Sequence, residues 1–198
     1  AGWRQDVINV FPPAPSLENQ NVDYLAQVDE RYVSDAYNSL SIEGYRVTDE
    51  LIERVARGDW NPDGDPEHDK TRDALAARGY YLAFQAVKQS IAKVLAKDNA
   101  GVVVRRDHHD WYAELFGPSV TAGIVEASQL AGYRRGPIFI RNSTHTPLPS
   151  AAPLDSLEPL WDMLGAESEA CVRAVLGPHL FVFVPPYYDG NGRLGRFL

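Results

Sequence analysis

The stretch that most limits what this chain can fold into is its last fifteen residues, Val184-Pro-Pro-Tyr-Tyr-Asp-Gly-Asn-Gly-Arg-Leu-Gly-Arg-Phe-Leu198. Position 185 precedes a proline and is pushed out of the α region toward extended geometry, and neither Pro185 nor Pro186 has a backbone N–H. Gly190-Asn191-Gly192 then makes a tight turn without side-chain bulk. Glycines let backbone N–H groups converge on an anion, and a helix starting there adds its positive end. Asp189 supplies a carboxylate, while Arg193 and Arg196 are permanent cations three apart, which places them on one helical face. A carboxylate beside such a nest fits Mg²⁺, which bridges protein oxygen to phosphate oxygen. The chemistry implied is a nucleoside triphosphate held with a metal ion.

Residues 185–196, P-P-Y-Y-D-G-N-G-R-L-G-R, resemble the signature of the Fic family (filamentation induced by cAMP), H-P-F-x-[D/E]-G-N-G-R-x-x-R. One position departs from it. The family's histidine, its general base, falls on Pro185, which has no ionisable group. His179 is a poor substitute, about 9 Å away along a helix at the usual rise. Gly190, Gly192 and Gly195 also match the dinucleotide-binding fingerprint. That fingerprint needs a βαβ unit of about thirty residues and a later acidic residue, a context not met here.

A second stretch, Ser39-Leu-Ser-Ile-Glu43-Gly44, is similar to the inhibitory motif [S/T]-x-x-x-E-[G/N] of autoinhibited Fic proteins. Ser39 and Glu43 are four apart and share a helical face. The resemblance implies that Glu43 pairs with Arg196 and denies it to the ATP γ-phosphate. One guanidinium fork holds one carboxylate or one phosphate bidentately. Taken alone, a Ser and a Glu near a helix end are commonplace; beside the signature they gain meaning.

Composition sets the outer bounds. A chain of 198 residues suits one domain, and 44% apolar content with four Trp argues for a globular protein. The net charge of −8 argues against direct nucleic-acid binding, which leaves a basic footprint. The single cysteine, Cys171, excludes an intramolecular disulfide and fits a reducing cytoplasm. No apolar run approaches the ~18 residues of a membrane span.

Taken in order, residues 1–22 read as an irregular arm, with Phe11-Pro-Pro-Ala-Pro15 averse to helix. Apolar spacing over Leu25, Val28, Tyr32, Ala36 and Leu40 predicts a helix ending near Gly44. Thr48 is placed to cap a helix that stops at Gly58. Residues 23–58 thus form N-terminal helices that carry the inhibitory motif. A polar loop fills 59–69, and a long helix runs from about Lys70 to Lys97. Asp107 is expected to cap a helix ending at Phe116, before Gly117-Pro118. Adjacent His108 and His109 point in different directions, a poor chelate, and read as solvated. Ile138, Phe139 and Ile140 favour a strand, with a turn at Asn142-Ser143. Leu154, Leu157, Leu160, Trp161 and Leu164 predict a further helix. The following helix leads into the signature and should kink or break at Pro178.

The resemblance implies an all-α fold: a Fic-type helical bundle with a small β-hairpin flap near 132–147. The core spans 59–198, and full-length relatives continue beyond the equivalent of Leu198, so a C-terminal part is expected to be missing. The implied activity is an autoinhibited protein adenylyltransferase that moves AMP from ATP to a target hydroxyl. Asp189 would hold Mg²⁺; Gly190, Asn191, Gly192, Arg193 and Arg196 would bind the nucleotide. Ser39 and Glu43 would regulate, and Pro185 would leave the scaffold impaired. The target protein would dock through the flap, a homodimer stays open, and the cytoplasm is the expected location. Two alternatives remain: a nucleotide-binding regulator without transfer activity, and a peptide-binding module that uses the flap alone.

Overall fold

The computed structural model describes residues 2–12, 21–60, 68–140 and 143–198. The Pro-rich stretch after Pro12, the acidic loop over 61–67 and Asn142 of the expected hairpin turn lie outside them. Among the described residues there are eight α-helices: α1 (Trp3–Val10), α2 (Asn21–Ile42), α3 (Asp49–Arg57), α4 (His68–Leu95), α5 (Ala100–Thr121), α6 (Ala152–Ala166), α7 (Ala170–Phe183) and α8 (Asn191–Phe197). A short 3₁₀ turn spans Ala127–Leu130. None of these helices is long and apolar enough to cross a membrane. The chain divides into two compact units, one of Ala1–Asn21, Lys93–Arg106 and Tyr133–Leu198, the other of Val22–Ala92 and Asp107–Gly132.

In the second of these units the helix ends follow local chemistry. After α2, Gly44 takes φ 86°. There the Tyr45 N–H reaches Leu40 O and the Gly44 N–H reaches Ser41 O, both at 3.0 Å, which satisfies carbonyls the helix leaves open. Thr48 Oγ1 accepts from the Leu51 N–H at 3.2 Å to start α3, and Gly58, at φ 79°, stops it. Buried Tyr32, Ala36, Leu40, Ile52, Val55, Leu75, Tyr80 and Phe84 supply the core. Tyr32 stacks edge-on against Tyr81 at 5.4 Å. A Cβ at Gly79 would lie 2.0 Å from Leu115 O, so α4 and α5 meet where no side chain fits.

α5 departs from expectation. It begins seven residues before Asp107, because the Asn99 side chain accepts from the Val102 N–H at 3.2 Å and caps it. Asp107 instead sits inside the helix, buried, and accepts from Ser90 Oγ at 2.6 Å; Trp111 Nε1 donates to the same Ser90 oxygen at 3.2 Å. A buried carboxylate that takes a hydroxyl from the neighbouring helix has a partner there without a capping role. His108 is also buried rather than solvated, its ring 4.1 Å from that of His109. Pro118 stands inside the last turn without ending the helix.

In the other unit, α1 replaces the expected irregular lead-in over residues 3–10. It packs on α7, and α7 also contacts α6 and α8. The Arg4 guanidinium donates to both oxygens of Glu167, at 2.8 and 2.7 Å. α7 continues through Pro178 to Phe183 instead of breaking. Leu157, Leu160, Trp161 and Leu164 of α6 are buried, and Trp161 faces Phe181 of α7 at 6.2 Å.

The β-hairpin flap expected over 132–147 is not formed: no strand occurs among the described residues. The bundle is all-α without it. The physical reason lies in where the backbone groups go. The Arg134 and Arg135 N–H groups donate to Pro186 O and Tyr188 Oη, and Gly136 O is taken by a side chain. Pro137, Pro147 and Pro149 have no N–H to offer a ladder. β-Favouring side chains at 138–140 do not make a strand without a partner.

Candidate functional site

α7 ends at Phe183, where the following prolines cannot continue its hydrogen bonding. Pro185, Pro186 and Tyr187 are buried; Tyr188 and Asp189 are exposed. Gly190 then takes φ 75° and ψ 3°, a left-handed conformation that suits glycine, and serves as N-cap of α8. The chain reverses between two helices that pack closely. A Cβ at Gly195 would meet Val182 Cγ2 at 2.7 Å, and one at Gly177 would meet Leu198 Cβ at 3.2 Å.

Asn191 fixes the turn from within. Its Oδ1 accepts from the Tyr187 N–H at 2.9 Å and its Nδ2 donates to Tyr187 O at 2.8 Å. A side-chain amide carries one acceptor and two donors, so it can satisfy both backbone groups of one residue. Asp189 Oδ1 takes the Gly190 N–H at 2.6 Å, and Oδ2 lies 3.5 Å from Arg193 Nη2. Arg193 is buried, 1% exposed, whereas Arg196, three residues later, is exposed. Same-face spacing therefore does not give the two cations the same access to solvent.

Arg134 fixes the turn from outside, and no sequence argument singled it out. It is 2% exposed. Its Nε donates to Pro185 O at 2.7 Å, Nη1 to Gly136 O at 2.9 Å and Nη2 to Leu148 O at 2.6 Å. Its backbone N–H adds a bond to Pro186 O at 2.8 Å. Burial pulls its pKa down from the usual arginine value, partly opposed by Tyr188, yet a guanidinium stays protonated. Nearby, the Tyr133 ring lies 5.7 Å from that of Tyr187. Burial first, then Glu158, push the Tyr133 phenol up to about 12, with Arg105 opposing.

Ser39 and Glu43, the pair expected to regulate, belong to the other unit. Ser39 is buried, with its Oγ 3.0 Å from Tyr80 Oη, which also lies 2.7 Å from Asp35 Oδ2. Glu43 is exposed, one residue beyond the end of α2. Among the described residues no group of three or more His, Cys, Asp or Glu could by itself hold a metal ion. Asp189 offers a single carboxylate, which suits an ion that arrives with phosphate rather than one held in a protein cage.

No protein-family model matches the sequence, and no curated protein matches it. A solved structure does: a Fic family protein from Desulfovibrio desulfuricans G20 superposes with a TM-score of 0.60 at 22% identity. The match covers 94% of this chain and 57% of that one, so the chain spans little more than half the length of that relative. At such identity the likeness concerns the fold, which is an all-α helical bundle of the Fic type.

Proposed function

We propose that the chain is an AMP-transfer scaffold of the Fic type, with its nucleotide site at the turn between α7 and α8. The observation that carries this is the D-G-N-G-R-x-x-R stretch. It forms a glycine-hinged turn into a helix, with an exposed Asp189 beside a buried Arg193, on a bundle of that fold. Asp189 would hold Mg²⁺, which when bound supplies charge neutralisation for the phosphates. The amides of Asn191 and Gly192, with Arg193 and Arg196, would orient the triphosphate. Most of the catalysis of such a transfer comes from positioning and charge stabilisation.

In the reaction a target hydroxyl oxygen bonds to the α-phosphorus of ATP while the bond to the β-phosphate oxygen breaks and pyrophosphate leaves. The hydroxyl proton needs an acceptor. Pro185 provides none, and its only polar atom, the carbonyl, is already engaged by Arg134. The missing base costs about 10²–10⁴ in rate. That same observation favours a second reading, a nucleotide-binding regulator that holds ATP–Mg²⁺ without turnover.

Glu43 would restrain either form by competing with phosphate for Arg196. The test is calorimetry with ATP–Mg²⁺ on the parent chain and on Glu43→Gly, followed by labelling with radioactive ATP after adding Pro185→His. Tighter binding by Glu43→Gly, and transfer only after Pro185→His, support the reading. Equal affinities remove the restraint, and robust transfer by the parent chain removes the loss-of-base argument.

A further inference from the structure

The prolines of the signature turn create a specific hydrogen-bonding demand. Pro185 and Pro186 are both buried and bring carbonyl oxygens but no N–H. A buried carbonyl left without a donor destabilises the fold. The complement to an acceptor-only segment is a donor-only group, and arginine carries five N–H donors and no acceptor. Arg134 meets both prolines, through Nε to Pro185 O and through its own backbone N–H to Pro186 O.

The rest of the guanidinium faces the other way. Nη1 and Nη2 take Gly136 O and Leu148 O, twelve residues apart in sequence, so one cation closes the 136–148 arm at both ends. The seam runs on toward Asp189. Arg135 N–H donates to Tyr188 Oη at 3.1 Å, and a Cβ on Gly136 would lie 3.3 Å from that oxygen. We propose that Arg134 is the positioning residue of the turn, a buried cation that makes the entrance to the D-G-N-G-R stretch and the base of the 136–148 arm one mechanical unit. Neither segment keeps its place without the other. The effect on nucleotide rests on the reading given above; the coupling of the two segments does not.

The experiment uses the full chain with Arg134→Ala and Arg134→Lys, read by amide hydrogen exchange and by calorimetry with ATP–Mg²⁺. In Arg134→Ala, amides of 187–192 and of 143–148 should both exchange about tenfold faster or more, while those of 155–164 in α6 change by less than about twofold. ATP–Mg²⁺ affinity should fall about tenfold, the equivalent of one charge-assisted hydrogen bond. Arg134→Lys keeps the charge but cannot reach all three carbonyls, and should give about a two- to fivefold effect on both segments. If the alanine variant does not fold, the lysine variant decides alone. Loosening of one segment without the other, equal loosening of α6, or no loosening in either variant would overturn the proposal. A parent chain that binds no ATP–Mg²⁺ would instead sink the nucleotide reading and leave the exchange result to judge Arg134.

Discussion

Arg4 and Arg134 each tie together segments of the same unit that are far apart in sequence, and they do so by opposite means. Arg4 meets a carboxylate: both oxygens of Glu167 accept from it, with the Arg4 side chain 41% exposed. Arg134 meets backbone carbonyls and is sealed from solvent. The first contact is charge on charge, so it is screened by salt and can be titrated away. The second is charge on dipole in a dry setting, where neither salt nor acid reaches the partner. α1 buries none of its residues, so its attachment leans on the fork to Glu167. The entrance to the signature turn, by contrast, is held by a cation whose partners carry no titratable group. The latch on α1 is thus open to salt and strong acid, and the one at the entrance to the candidate site is not.

The largest effect expected is from Arg134→Met, which leaves three carbonyls without their donor. At about 1–3 kcal/mol for the buried Pro185 carbonyl and less for the part-buried Gly136 and Leu148 carbonyls, the unit should lose about 2 kcal/mol or more in denaturant unfolding. A loss below about 1 kcal/mol would mean that water or repacking replaces the guanidinium, and the contrast with Arg4 would collapse.

Acid should separate the two latches next. The Arg4 side chain, then the Glu169 N–H, hold the Glu167 carboxyl at about 2, below its ordinary 4.5. Its contribution is therefore complete above about 4.5 and is lost as pH falls through about 2. The Trp3 indole resonance should shift within that window, while the Arg134 N–H, bonded to Pro186 O, keeps its neutral-pH protection. Simultaneous loss of both would show that α1 and the turn are not independently held. A smaller effect is expected of Arg4→Lys, which keeps the charge and loses the two-pronged geometry. α1 should fray faster in amide exchange with no change at the turn. Smallest of all is salt. At ~1 M the Debye length is about 3 Å, so α1 protection should drop slightly, and protection of the Arg134 N–H should not move.

How much of this was legible in the sequence depends on how far each residue reaches. Thr48 and Gly58 act on amides within four residues of themselves, and the ends of α3 follow from local rules. The apolar spacing of α6 gave its buried face for the same reason, Leu154 aside, which is 67% exposed. Asp107 misled because its partner, Ser90, is 17 residues away, and a carboxylate before an apolar run looks like a cap until that partner is known. α1 was missed because its anchor, Glu167, lies 163 residues off. The flap failed as an expectation because the local preference at 138–140 was read without knowing that the neighbouring donors and acceptors were committed to the turn. Within the turn, the left-handed Gly190 was foreseeable from the D-G-N-G string. The bracing by Arg134 was not, since nothing local distinguishes it from the adjacent, exposed Arg135.

The double bond-pair between Asn191 and Tyr187 also bears on how the protein ages. Asn191-Gly192 is the dipeptide most prone to spontaneous loss of ammonia, because a following glycine lets the next backbone nitrogen swing in and attack the side-chain carbonyl carbon. Here that amide is held from both ends by one residue, and the attacking nitrogen belongs to the first turn of a helix. Ring closure would have to break two hydrogen bonds and unwind α8 before it could begin. The product, an aspartate, would set a carboxylate oxygen against Tyr187 O where a donor now stands. The turn thus protects its weakest bond from slow chemical decay for as long as it stays folded, and a chain that unfolds repeatedly carries a clock at Asn191 that a folded one does not.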